Sequence, residues 1–352
     1  MTPQPIAEPL SMGSASASAQ PPRRRRAIGL LVIAVLLVAA VTLSLMIGAR
    51  DVPLRTVWET LIGAFADREA ETVLSLRIPR TVLGLLVGAA LGVAGALIQA
   101  VTRNPLADPG ILGVNSGSAF AVAIAVGVFG ASSPTAYMWF AFGGALITTI
   151  VVYLIGSAGR GSVSPVRITL AGVAIGAVLA GITSAMVLAD PRGFNAMRAW
   201  EAGSVADRGW EVIAVAAPYL SIGLVLAIML GRSLNAIALG DDLARSLGSS
   251  VLRTRILTIA AITLLCGTAT AMAGPIAFVG LMIPHVARWI VGPDQRWIIA
   301  YSMLLAPVLL LSSDILGRIL LRPGEIPVGI VTAFVGAPVL VLLVRRQRAS
   351  GL

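Results

Sequence analysis

The sequence predicts an all-α polytopic membrane protein of about ten spans, and three observations predict it. Ionised side chains gather between long apolar runs and hardly ever fall within one. The runs approach the roughly 20 residues that a helix rising about 1.5 Å per residue needs to cross about 30 Å of hydrocarbon. No stretch alternates apolar and polar residues with the period of two that barrel strands show. Lipid leaves helices and closed barrels as the only ways to satisfy backbone groups internally.

Taken in order, residues 1–26 are rich in Ser, Ala, Pro and Gln and end in Arg23, Arg24, Arg25 and Arg26, the composition of a disordered cytoplasmic tail. The apolar run that follows is too long, and too poor in a small-residue cleavage site, to read as a removed signal. A membrane domain then occupies 27–346, with a short tail at 347–352. Its spans at 27–48, 81–101, 111–131, 135–156, 168–189 and 212–231 carry no ionised side chain. Spans at 256–273 and 297–317 follow, the latter with Asp314 near one end. The eighth and tenth, 274–287 and 327–344, are shorter and interrupted by proline. With ten spans and an inside amino terminus, sixteen of the 26 arginines and five of the 16 acids lie inside. The positive-inside rule therefore puts both termini in the cytoplasm.

Composition also excludes. A formal charge of +10 would suggest nucleic acid as partner for a soluble protein, but here it reports topology and a lipid environment. Every basic residue is arginine, so the lysine of a Walker A loop is missing and any ATP hydrolysis belongs to another chain. His285 is the only histidine, which leaves no histidine-based metal site, and no cofactor is expected. Its expected role is structural. Cys266 has no partner for an intrachain disulfide and reads as a small apolar residue within a span. An ion-coupled transporter would place Asp, Glu or His inside the bundle, whereas only Asp314 and His285 come close, both near span ends. Neither a channel filter nor a cluster of catalytic groups is visible.

Small residues recur at helical spacing, Gly84, Gly88, Gly92 and Gly95 in span two and Gly172, Gly176 and Ala180 in span five, a pattern that lets helix backbones approach. Residues 94–98 (AGALI) weakly echo 273–277 (AGPIA) in spans of opposite direction, hinting at inverted repeats over spans two to five and seven to ten. The cytoplasmic stretch 234–248 reads as a short helix from Asp241. Two acids stand at its positive end, and Leu243 and Leu247 form an apolar face, fit for the lipid surface or for a docked partner. Outside, Arg77 and Arg80 stand at the end of span two and Arg318 at the end of span nine, four residues after Asp314. Such arginines serve as interfacial anchors or as receptors for carboxylates. The Pro- and Gly-rich stretch 104–117 is expected to be irregular in its first half, with Gln99, Asn104 and Asn115 either lining a path or satisfying freed backbone groups.

Several separated motifs resemble one family. They are RIPR (77–80), VAGALIQAVTRNPLADPGILGVNSG (93–117), LAGVAIG (170–176), the 234–248 loop, GPIAFVGLMIPHVAR (274–288) and PGEIPVGIVTAFVGAP (323–338). Over roughly 50–346 the chain is similar to the permease subunits of iron-siderophore, haem and cobalamin ABC importers, the FecCD or BtuC-like type II family with ten spans. The resemblance implies a transporter of two permeases, identical or paralogous, with cytoplasmic ATPase subunits and an extracytoplasmic substrate-binding lipoprotein in the bacterial plasma membrane. It implies a ferric siderophore as substrate, with haem or cobalamin as the alternative. It makes Gly240, Asp241, Ala244, Leu247 and Gly248 the ATPase contact and Arg77, Arg80 and Arg318 the binding-protein contact. Spans five and ten would face the path, and Ser164 and Pro165 would match a cytoplasmic gate.

Overall fold

The computed structural model describes residues 23–48, 51–63, 68–131, 133–158, 165–189 and 191–349. These form fourteen α-helices and no strand. They are α1 (Arg23–Met46), α2 (Leu54–Leu61), α3 (Arg68–Thr72), α4 (Ile78–Thr102), α5 (Val114–Gly127), α6 (Pro134–Ser157) and α7 (Pro165–Ala189). The second half holds α8 (Pro191–Glu201), α9 (Trp210–Ala238), α10 (Asp241–Ser246), α11 (Val251–Ala273), α12 (Val279–Val291), α13 (Gln295–Leu320) and α14 (Val328–Ala349). Seven are long and apolar enough to cross a membrane, and α5, α12 and the apolar part of α14 are shorter apolar helices, so the ten expected spans are all present.

Helix ends follow local chemistry. Ser133 accepts the Ala136 amide at 3.2 Å to cap α6, and Asp294 accepts the Arg296 amide at 3.1 Å to cap α13. Arg103 adopts a left-handed conformation (φ 52°) to end α4, and Pro105 beyond it cannot continue the helix.

The most buried helix is α4, enclosed by α9, α11, α12 and α13, while α1 and α7 expose most of their apolar surface. The glycine stripe explains why α4 sits at the centre. A Cβ at Gly88 would come 2.7 Å from the Pro307 backbone, and one at Gly92 2.7 Å from the Ser302 carbonyl oxygen, so this face meets α13 backbone to backbone. At Gly95 a Cβ would lie 1.8 Å from the Gly280 carbonyl oxygen, the crossing point with α12. In span five, a Cβ at Gly172 would lie 1.8 Å from the Ile111 carbonyl oxygen.

Some expected boundaries move. Span eight, expected at 274–287, is helical at Val279–Val291, because Gly274 (φ 75°), Pro275 and Phe278 (φ 68°) hold 274–278 out of the helix. Span three shortens to Val114–Gly127 behind a 3-10 turn at Pro109–Leu112. Arg23 to Arg26, expected in the tail, form the first turn of α1, and residues 1–22 lie outside the described residues. The amphipathic helices α2 and α8 were not anticipated.

The two halves repeat in element lengths. α4 to α7 contain 25, 14, 24 and 25 residues, and α11 to α14 contain 23, 13, 26 and 22. In each half the first helix ends at a positive-φ residue, Arg103 or Gly274, and the short second helix begins after another, Gly113 or Phe278. The five-residue echo is not the register of this repeat. Residues 94–98 lie inside α4, whereas 273–277 straddle the end of α11.

Candidate functional site

At one end of the bundle, a π-helical turn (Val73–Arg77) leads into α4 and directs Arg77 at the end of α1. The last carbonyls of a helix lack intrahelical partners. Arg77 Nη1 donates to two of them, Leu45 and Met46, each at 2.7 Å. Arg318 approaches the same helix end from α13, donating through Nη1 to the Ser44 and Ile47 carbonyls at 2.9 and 2.7 Å and through Nη2 to Ser44 Oγ at 3.0 Å. Two guanidinium groups from different helices therefore stand at the negative end of the α1 dipole. Both are inside the protein, 7% and 5% exposed, rather than displayed on its surface.

Arg80 is arranged differently. Its Nε and Nη2 grip the Asp314 carboxylate at 3.1 and 2.7 Å, and its Nη1 lies 2.8 Å from Glu325 Oε2. Asp314 is also bound by Arg318, the i, i+4 pair read from the sequence, so one buried carboxylate serves two arginines. All three expected arginines line a single cavity of about 950 Å³, together with Asp51, Arg208 and Glu325. Arg208 Nε donates to the Met272 carbonyl at 3.0 Å, near the end of α11. Beside this cavity, hydrogen bonding from Arg322 holds the Asp51 carboxyl below its ordinary range. Ser44, Glu325 and Arg208 were missed in the sequence because their partners come from remote helices.

At the opposite end of the bundle, α9 stops at Ala238 and the chain turns through Gly240, whose φ of 114° suits glycine, into the six-residue helix α10. Gly248 (φ 78°) turns it out again. Ala244 faces inward and is fully buried with Ile237 and Val251. Leu243 and Leu247 face outward, with Leu239 and Leu252 exposed beside them. The two acids are not equivalent. Asp241 is clamped by Arg103 and by Arg255 Nη2, the latter at 2.9 Å, and Arg103 Nε also donates to the Ile237 carbonyl at 2.8 Å. Asp242 is fully exposed and pairs only with Arg245 at 2.7 Å. The two arginines that seat α10 were not anticipated, since they lie 138 and 14 residues from Asp241.

Between the two ends, the expected path residues separate. Gln99 is buried, donating to the Leu281 carbonyl at 3.0 Å and accepting from Arg288 at 3.4 Å, so it satisfies the first turn of α12. Asn104 accepts the Leu106 amide at 3.0 Å and closes a turn. Asn115 accepts from Thr270 at 3.1 Å and lines an open groove of about 740 Å³ with Glu201, Pro275, Phe334 and Pro338. Ser164 lies outside the described residues, and Pro165 begins α7. His285 is buried in α12, edge-on to Trp289 with ring centres 4.9 Å apart. Among the described residues, no three His, Cys, Asp or Glu side chains come together as a metal set.

Residues 36–346 match the model of the FecCD transport family. The ferric enterobactin transport system permease protein FepD of Escherichia coli K12 is 48% identical, over 93% of this chain and 97% of its own length. The iron(3+)-hydroxamate import system permease protein FhuB of Bacillus subtilis 168 is 40% identical, over 87% of this chain and 80% of its own. Among solved structures, the inward-facing conformation of a metal-chelate type ABC transporter superposes with a TM-score of 0.80 at 27% identity, covering 91% of this chain and 99% of that one.

Proposed function

The chain belongs to the FecCD transport family, and from that premise we propose that it is the permease subunit that carries a ferric siderophore across the bacterial cytoplasmic membrane, driven by ATP hydrolysis on a separate subunit. The observation that carries this reading is the pairing of two unlike ends on one bundle. An arginine-lined vestibule opens at one end, and a rigidly seated helix with two exposed leucines projects at the other.

The inner end suits a motor. The Asp241 clamp and the buried Ala244 fix α10 to α9 and α11, so a push on Leu243 and Leu247 moves spans rather than bending a loop. Closure of two ATPase subunits on ATP supplies that push, and rigid helices transmit it as a shift between two packings. The outer end suits an acidic partner, a substrate-binding lipoprotein whose carboxylates meet guanidinium groups. Both termini lie in the cytoplasm in this arrangement, as the arginine distribution requires.

The transport path in this reading runs along the groove of Asn115 and Phe334, with the exposed apolar faces of α7 and α14 turned to a second permease, an identical copy or a paralogue. A lining with few charges lets a bulky chelate pass without a tight intermediate site. The support for a siderophore is that FepD is named for ferric enterobactin and FhuB for iron(3+)-hydroxamate, two different iron(3+) complexes. Uptake of radioiron supplied as ferric catecholate, ferric hydroxamate or haem, and of radiocobalt supplied as cobalamin, in cells with and without this chain, tests the assignment. Loss of ferric siderophore uptake alone is the expected result, and loss confined to haem or cobalamin overturns it.

A further inference from the structure

Three arginines face the outer cavity, yet their donors are committed to different degrees. Arg77 and Arg318 spend theirs on the carbonyl end of α1, and those bonds hold the fold together. Arg80 divides its guanidinium between two carboxylates of opposite character. Asp314 is 2% exposed and shared with Arg318, a permanent partner. Glu325 is 39% exposed and reaches Arg80 from the loop between α13 and α14.

We propose that Glu325 is an internal placeholder for the carboxylate of the docking partner. It occupies the exchangeable Nη1 side of Arg80 in the unbound transporter and is displaced when an acidic residue of the substrate-binding protein arrives. This rests on the docking reading above and adds which donor receives the partner and what must leave. Exchange of one carboxylate for another keeps the Nη1 side of this half-buried guanidinium paired throughout, with Asp314 holding the other side. It also has a structural consequence. Glu325 lies three residues before Val328, the first residue of α14, and α14 supplies Ile330 and Phe334 to the groove proposed as the path. Release of Glu325 removes one tether of the loop that leads into that helix, the others being the Arg322 pair with Asp51 and the Ile326 amide on the Gly317 carbonyl, so docking at the rim bears on a path-lining element.

The test is titration of the assembled transporter, reconstituted in lipid nanodiscs, with the ferric-chelate-loaded binding protein of the same uptake system. Glu325→Gln removes the competitor while preserving shape. A partly exposed pair of this kind is worth about 1 kcal/mol, so affinity should rise about fivefold and the salt dependence of binding should steepen. In an Arg80→Lys background, which keeps the charge but not the fork, the Glu325→Gln gain should vanish. Unchanged or weaker binding by Glu325→Gln, while Arg80→Lys still weakens binding, overturns the placeholder and leaves docking at Arg80 standing. Undiminished binding by Arg80→Lys overturns docking at Arg80, and the placeholder with it.

Discussion

Asp314 joins two arginines that have no other carboxylate as buried as this one, and its loss would leave two charges inside the bundle with one compensation removed. Breaking a buried pair in this way costs about 3–5 kcal/mol. Asp314→Ala should therefore lower folded yield and melting temperature in detergent sharply, with Asp314→Asn intermediate. The acids of α10 make a sharper comparison. Asp241→Arg breaks contacts to Arg103 and Arg255 and should cost on the order of 1–3 kcal/mol, while Asp242→Arg loses one exposed pair and should change stability by less than about 0.5 kcal/mol. Thermal melts of the two variants in parallel decide it. Gly95→Ala drives a methyl into the Gly280 carbonyl and should cost about 3 kcal/mol or more, whereas Gly143→Ala meets nothing within 4 Å and should be tolerated. The residue types at these positions were legible as sequence. Their separate roles were not, because Arg103 and Asp241, or Arg80 and Glu325, meet only after the long stretches of chain between them have folded.

At the scale of elements, α10 is too short to be stable alone and depends on its buried Ala244 and the Asp241 clamp. Its outward leucines contribute nothing to that packing, so they can be changed without unfolding it. Leu243→Ser with Leu247→Ser should leave the melting temperature of the permease within about 2 °C, since exposed substitutions rarely shift stability by more than 0.5 kcal/mol. Co-purification of the ATPase subunit should fall at least tenfold in the same double variant. Long spans were readable from hydrophobic runs because about 20 apolar residues have few alternatives in lipid. The short second helix of each half was misplaced by several residues. Its start is set by positive-φ residues, and Phe278 carries no local sequence signal for a left-handed backbone. The helix α8 escaped notice for a related reason, having a polar composition that reads as a loop until it packs beside α5 and α7.

For the whole molecule, a chain without lysine has no Walker A site, and the purified permease should show no ATP hydrolysis above background until its ATPase is added. A colorimetric phosphate assay on chain purified from cells lacking that ATPase checks it. The pattern of long and short helices recurs in the two halves of the bundle, a duplication of the kind that transporters built from repeats use. Sequence by itself determined the class of solvent this protein lives in, the approximate number of its spans and its family, because each follows from composition summed over long stretches or from motifs read in place. Only the tertiary structure decided which arginine is a cap and which is shared between two carboxylates, which acid seats α10, and which glycine is a crossing point. Those distinctions depend on distances between remote segments, and a linear order of residues carries no such distances until packing sets them.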